Sequence, residues 1–434
     1  MSSNMFSDSN FSTRHQLSFV LAGVIGLFCM LNSSSIHAAD PAASNGNLLA
    51  IKGGKIMGSI DELTQVQSFK GIPFAAPPLG ELRWRPPQPA PAWDGVKNTT
   101  GFANRCMQLP LYSDMLFRSD GVSEDCLYLN VWTSSINNEK PLPVLLYFYG
   151  GGFHAGDGSE PRYDGASFAK QGVVTITANY RLGVFGLLAH PELSAETDYK
   201  GSGNYTFMDQ AAALQWVVDN VAAFGGDPKR ITIGGESAGS MSVSALMVSP
   251  LSKHNIAGAI GQSGSLLGPT LGVIPLKAAE EVGSQMGSAL ARQKDSNEPL
   301  TLKDLREMPA QDLIDQAKKG GFEWFMPTVD GHVFPKSPYQ MYMANQYARV
   351  PLLLGNNSQE GSYETIFRGA EVNQENYRQA IKNIYPEHYE EVLALYQGET
   401  EKELKDMAQA LASDRFISFS TWNWAEAVAN TYSK

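Results

Sequence analysis

This 434-residue chain is poor in several things, and each shortage excludes something. Basic residues are in deficit, 33 Lys and Arg against 44 Asp and Glu, for a formal net charge of −11. That balance argues against nucleic acid as a partner, because such binding rests on cations that neutralise phosphates. It is what a soluble acidic surface produces. Long apolar runs are scarce as well. The N-terminal run 17–31 is short for a membrane span, so no stable membrane anchor is expected. There is no repeat, coiled coil or low-complexity linker. Cysteine occurs three times and histidine seven. No cofactor or metal is implied. Hydrophobic residues at 43% and charged residues at 18% describe an ordinary folded protein.

The N-terminus has the layout of an export signal. Arg14 and His15 precede the apolar run, and small or polar residues follow up to Ala38 and Ala39, where cleavage is expected. Residues 1–39 are therefore assigned as a signal peptide, and the product as secreted or periplasmic. Cys29 follows Leu27-Phe28, a poor context for a lipoprotein site. Removal of the signal leaves Cys106 and Cys126, and an even pair in an exported chain suggests a disulfide.

Short apolar segments at 127–132, 144–149 and 173–177 read as buried strands. Apolar positions between Asp209 and Ala223 recur at helical spacing. Residues 231–234 read as a further strand and 240–248 as a further helix. Alternating strands and helices imply an α/β fold with a central, mostly parallel sheet covered by helices on both faces.

Between that last strand and helix lies Gly235-Glu236-Ser237-Ala238-Gly239. G-x-S-x-G alone is weak, but a serine at a sharp strand-to-helix turn is a nucleophile candidate. Glycines two residues to either side answer the crowding such a turn creates. The amide of Ala238 would stand at a helix N-terminus, where the dipole favours negative charge. The strand at 144–149 runs into Gly150-Gly151-Gly152-Phe153, and consecutive glycines can aim amides at a developing oxyanion. These features point to acyl transfer from a small-molecule carboxylic ester.

Here the chain resembles the type-B carboxylesterase family, which includes the cholinesterases. Residues 124–131 (Glu-Asp-Cys-Leu-Tyr-Leu-Asn-Val) match one family signature, and 235–239 with its flanks match the other. Supporting segments are 71–75, 179–183, 224–228 and Gln262-Ser263-Gly264. The resemblance covers the whole mature chain, 40–434, and implies the α/β-hydrolase fold. It implies that Gly151, Gly152 and Ala238 donate to the oxyanion. It also implies that Cys106 and Cys126 form the family's first disulfide, that Arg83 pairs structurally with Glu124, and that Glu360, before Gly361 and after the apolar strand 351–354, is the catalytic acid.

The family's histidine lies farther beyond the acid than this sequence extends. His388 is the only histidine after Glu360, and it reads as a helix-surface residue. His154, beside the glycine run, precedes the nucleophile and is a poor substitute base. The expectation is a C-terminally truncated hydrolase, lacking its last sheet segments and histidine loop and inactive as written. An apolar helix around 416–428 would be left with an exposed face. The segment between the cysteines has Tyr112 and Phe117 but no Trp to hold a quaternary ammonium. That favours a general carboxylesterase over a choline esterase. A rival reading is a non-catalytic binding module on the same fold. A lipase is a third, and it would need a lid that sequence does not identify.

Overall fold

The computed structural model describes residues 47–432, apart from Asn138, Thr270 and 295–297. The expected signal peptide lies outside these residues. An eight-stranded sheet forms the centre, numbered here in chain order: β1 (Ser59–Ile60), β2 (Gln67–Pro73), β3 (Tyr128–Thr133), β4 (Leu142–Phe148), β5 (Val174–Ala178), β6 (Gly226–Glu236), β7 (Gly258–Gln262) and β8 (Leu352–Gly355). Their spatial order is β8-β7-β6-β4-β5-β3-β2-β1. The five strands from β8 to β5 run parallel to their neighbours, and the pairings β5–β3, β3–β2 and β2–β1 are antiparallel. The sheet is thus mixed, with its parallel half carrying the site.

Chemistry explains the division. The β5 sequence Val-Thr-Ile-Thr-Ala is buried throughout, as suits a strand covered on both faces. β4 alternates, with Val144, Leu146 and Phe148 buried and Leu145 and Tyr147 half-buried. β8 is an edge among the described strands, and Leu353 on it is exposed. Helix α1 (Tyr205–Asn220) begins earlier than its apolar spacing indicates and packs against α2 (Ala238–Val248), which lies on β6 and β7. α2 has no charged residue, and all eleven of its residues are buried. Its three serines donate to main-chain carbonyls, so the helix can lie inside the fold.

The C-terminal region is helical. Helix α3 (Glu401–Ser413) starts with a capping box between Thr400 and Glu403. It passes through a π-turn at Asp414–Ser418 into α4 (Phe419–Tyr432). Residue 416 thus belongs to the turn, not to the last helix as its sequence suggested. Ile417, Trp424, Ala427 and Val428 are buried, and Trp424 lies over Gly261 of β7, while Phe416, Phe419 and Trp422 are exposed. A separate apolar cluster joins Ile366, Phe367, Tyr377 and Ile381 to Leu404, Ala408 and Leu411.

Cys106 and Cys126 form a disulfide. Arg83 grips Glu124 with two bonds of 2.7 and 2.6 Å, and its remaining nitrogen donates to the carbonyls of Leu305 and Met308. A buried, fully satisfied pair of this kind ties distant segments together. Arg181 and Asp209 form a second buried pair, which the sequence did not reveal, with Nη1 of the arginine left without a partner. No described helix is long and apolar enough to cross a membrane.

Candidate active site

β6 runs straight into Ser237, whose backbone sits at φ 55° and ψ −120°. A β-carbon normally makes this conformation unfavourable, so the surrounding structure must enforce it. The flanking glycines show how. A Cβ on Gly235 would come within 2.3 Å of the Gly239 carbonyl carbon, and one on Gly239 within 2.0 Å of the Phe148 oxygen. Strand, turn and helix touch through bare main chain. The Ser237 amide donates to the Gln262 carbonyl at 2.9 Å, which fixes the turn to β7. The hydroxyl makes no cap to α2 and no other hydrogen bond among the described residues.

The glycine run continues β4 and lies against this turn. A Cβ on Gly150 would stand 3.1 Å from Ser237 Cβ and 2.6 Å from Glu236 Oε2. Gly151 and Gly152 have φ of 109° and 65°, the left-handed range that glycine tolerates. The Gly151 carbonyl accepts from the amides of His154 and Ala155, which closes the loop. The amides of Gly151 and Gly152 donate to no acceptor among the described residues. Ala238 opens α2, where the first helical N–H groups lack intrahelical partners. Gly151, Gly152 and Ala238 share the lining of one cavity with Ser237.

Gly150 to Gly152, Ser237 and Ala238 line a cavity of about 460 Å³ whose other walls include Met115, Trp324, Phe325, Met241 and Phe416. Such a mostly apolar pocket with a few polar groups is the usual form of a small-molecule site. A larger cavity, about 600 Å³, lies between α4 and the Tyr385–Tyr396 region and does not contain Ser237.

Glu360 follows β8 and is tied to Ser263, the residue after β7. Its Oε1 accepts from Ser263 Oγ at 2.6 Å and from the Asn357 amide at 2.7 Å. The amides of Glu360 and Gly361 both donate to Ser413 Oγ. A Cβ on Gly361 would approach the Ala412 carbonyl carbon to 2.5 Å, so glycine after Glu360 is a packing necessity. Glu236, beside the serine, titrates above the ordinary carboxylate range because it is buried and faces Glu360; nearby Arg162 opposes the shift. Glu236, Ser263 and Arg162 were not picked out individually from sequence, although Ser263 lay in a segment matching the family.

No described histidine is placed to take the Ser237 proton. His154 lines the cavity, but Nδ1 lies 2.6 Å from the Gly152 carbonyl and Nε2 accepts from the Phe325 amide at 3.1 Å. These partners assign the proton to Nδ1. Burial holds the ring below its ordinary pKa, so it is a neutral brace between the glycine loop and 324–327. With both ring nitrogens engaged, His154 is not a substitute base. His388 is exposed and pairs with Glu391, His332 stacks on Tyr199, His190 caps a short helix, and His254 lies in a surface turn. Among the described residues no group of three or more His, Cys, Asp or Glu could hold a metal.

The sequence model of the carboxylesterase family matches residues 45–433. The chain belongs to the carboxylesterase family. This carboxylesterase-family chain is 40% identical over 298 residues to the fumonisin B1 esterase of Sphingopyxis macrogoltabida, an alignment covering 68% of this chain and 53% of that one. It is 37% identical over 350 residues to the acetylcholinesterase of Electrophorus electricus, covering 77% and 54%. To carboxylesterase 1C of Rattus norvegicus it is 38% identical over 321 residues, covering 71% and 56%. It spans about half the length of the curated relatives it matches. The α/β-hydrolase fold of this carboxylesterase-family chain follows from the same match.

Proposed function

We propose that the protein is a serine carboxylester hydrolase with an acyl-enzyme mechanism. Ser237 Oγ attacks the ester carbonyl, the amides of Gly151, Gly152 and Ala238 receive the oxyanion, and the alcohol leaves. Water then releases the acid. Glu360 is the carboxylate that orients the general base. The observation that supports this reading is the packing of the glycine run against the Ser237 turn, with undonated amides and an unbonded hydroxyl on residues that line one cavity.

A serine needs a base, and each described imidazole is engaged elsewhere or lies in a surface turn. Turnover therefore requires an imidazole that the described residues do not supply, and residues 40–434 alone hydrolyse esters at no enzymic rate. This is also what favours the second reading, a non-catalytic binding module. Labelling of Ser237 by an alkyl fluorophosphonate in full-length protein, lost in Ser237→Ala, decides between them. No labelling at Ser237 would sink the hydrolase reading.

Esters without a quaternary ammonium suit the pocket better than choline esters. Phe117, an aromatic candidate between the cysteines, is occupied by the Arg105 guanidinium at 4.6 Å, which leaves Tyr112 at the cavity. Export, with mature residues beginning near 40, is part of the proposal. The Cys106–Cys126 disulfide supports it, since such bonds persist in oxidising compartments.

A further inference from the structure

Arg162 supplies the cationic side chain in the wall of the catalytic cavity, beside Glu236 and Tyr163. It is held from two sides. Nε meets Glu160 Oε2 at 2.9 Å, and Nη2 donates to the Asp114 carbonyl at 2.9 Å and to its carboxylate at 3.1 Å. The two acidic neighbours differ. Glu160 is 1% exposed, and its oxygens form no aligned hydrogen bond, so it touches Arg162 as a bare charge contact. Asp114 is 72% exposed on the segment between the cysteines. Nη1 has no protein partner among the described residues.

An exposed ion pair stabilises little and exchanges readily. A guanidinium, by contrast, offers a planar fork matched to a carboxylate. We propose, on the hydrolase reading above, that Arg162 is a specificity-determining residue that receives a free carboxylate carried by the ester, displacing Asp114. The preferred substrates are then esters that retain an ionised carboxyl group, such as monoesters of short dicarboxylic acids. Burial raises Glu160 to about 7, so near neutrality it cancels only part of the Arg162 charge. Glu236, also raised, can take up a proton as a second anion approaches. The remaining walls are largely apolar and offer a carboxylate no rival cation.

The test is equilibrium binding by calorimetry to the full-length protein, with succinate and glutarate as product analogues and the monoacids butyrate and valerate as length-matched controls. The expected result is a preference for the diacids of tenfold or more. Arg162→Gln should abolish it, with circular dichroism and a melting curve verifying the fold. Asp114→Asn, which removes the displaceable competitor and spares the core, should increase it. Equal binding of diacids and monoacids overturns the proposal. So does a preference that survives Arg162→Gln, or one that does not rise in Asp114→Asn. Failure of the hydrolase reading is distinguishable: Ser237 then stays unlabelled whatever the diacids do.

Discussion

Glu360 and Ser263 are joined by a 2.6 Å hydrogen bond from the serine hydroxyl to the carboxylate. Ser263 follows β7 directly, and its own amide donates to Gly355 at the end of β8. The position of Glu360 is thus taken from two sheet strands. Glu360 and Ser237 are referred to the same frame, because β7 also receives the Ser237 amide.

From that relationship, Ser263→Ala should loosen Glu360 without displacing Ser237. A half-buried hydrogen bond to a carboxylate contributes about 1 kcal/mol once solvent screening is allowed for. Urea denaturation measures the loss of stability. In protein that turns over a nitrophenyl ester, kcat should fall more than KM rises, since in the proposed mechanism Glu360 serves the base rather than substrate binding. An unchanged kcat would separate Glu360 from catalysis.

Gly239→Ala tests the main-chain contact beneath the nucleophile. With the Phe148 oxygen 2.0 Å from the added carbon, the turn must shift. Overpacking of this sort costs about 1–3 kcal/mol and sometimes more. Ser237 labelling should be lost together with a lowered melting temperature, whereas Ser237→Ala should lose labelling with the melting temperature preserved.

Cys106→Ser with Cys126→Ser opens a loop spanning 20 positions. The chain-entropy argument puts the loss at about 3 kcal/mol. Comparing the melting of the oxidised protein, the reduced protein and the double variant checks it. The reduced protein and the variant should agree.

Glu160 gives a pH dependence with a definite sign. Its folded pKa is raised from 4.5 to about 7 by burial, so between those values the native state holds a proton the unfolded chain has released. Its contribution to stability is present below 4.5 and is lost as pH rises through about 7. Buried Asp157 and Asp330 shift in the same direction. Glu160→Gln should flatten the fall in stability across pH 4.5–7, measured by urea titration as the difference between variant and parent. An unaltered slope would contradict the assignment.

Legibility in the sequence followed the distance over which each constraint acts. The nucleophile turn and glycine run were readable because both are local, with glycines demanded by contacts within a few residues or by the adjoining strand. Strand cores such as 174–178 announced themselves by apolar runs. The mixed character of the sheet did not, since the strand at 128–133, antiparallel to both neighbours, is about as buried as strands of the parallel half, and direction leaves no trace in composition. Arg162 and Ser263 were invisible as site residues because their partners, Asp114 and Glu360, lie 48 and 97 positions away. The π-turn at Asp414–Ser418 was missed because an apolar stretch reads the same through either helical geometry.

The meeting of Gly150, Gly235 and Gly239 has an evolutionary side. Where main chain touches main chain, no side chain is available for selection to adjust, so the reacting centre is frozen by geometry. Room for substitution lies instead at positions such as Tyr112, Asp114, Arg162 and Trp324, which line the cavity with side chains. A scaffold built this way can change its clientele by rim substitutions alone while the turn that presents the serine is inherited intact.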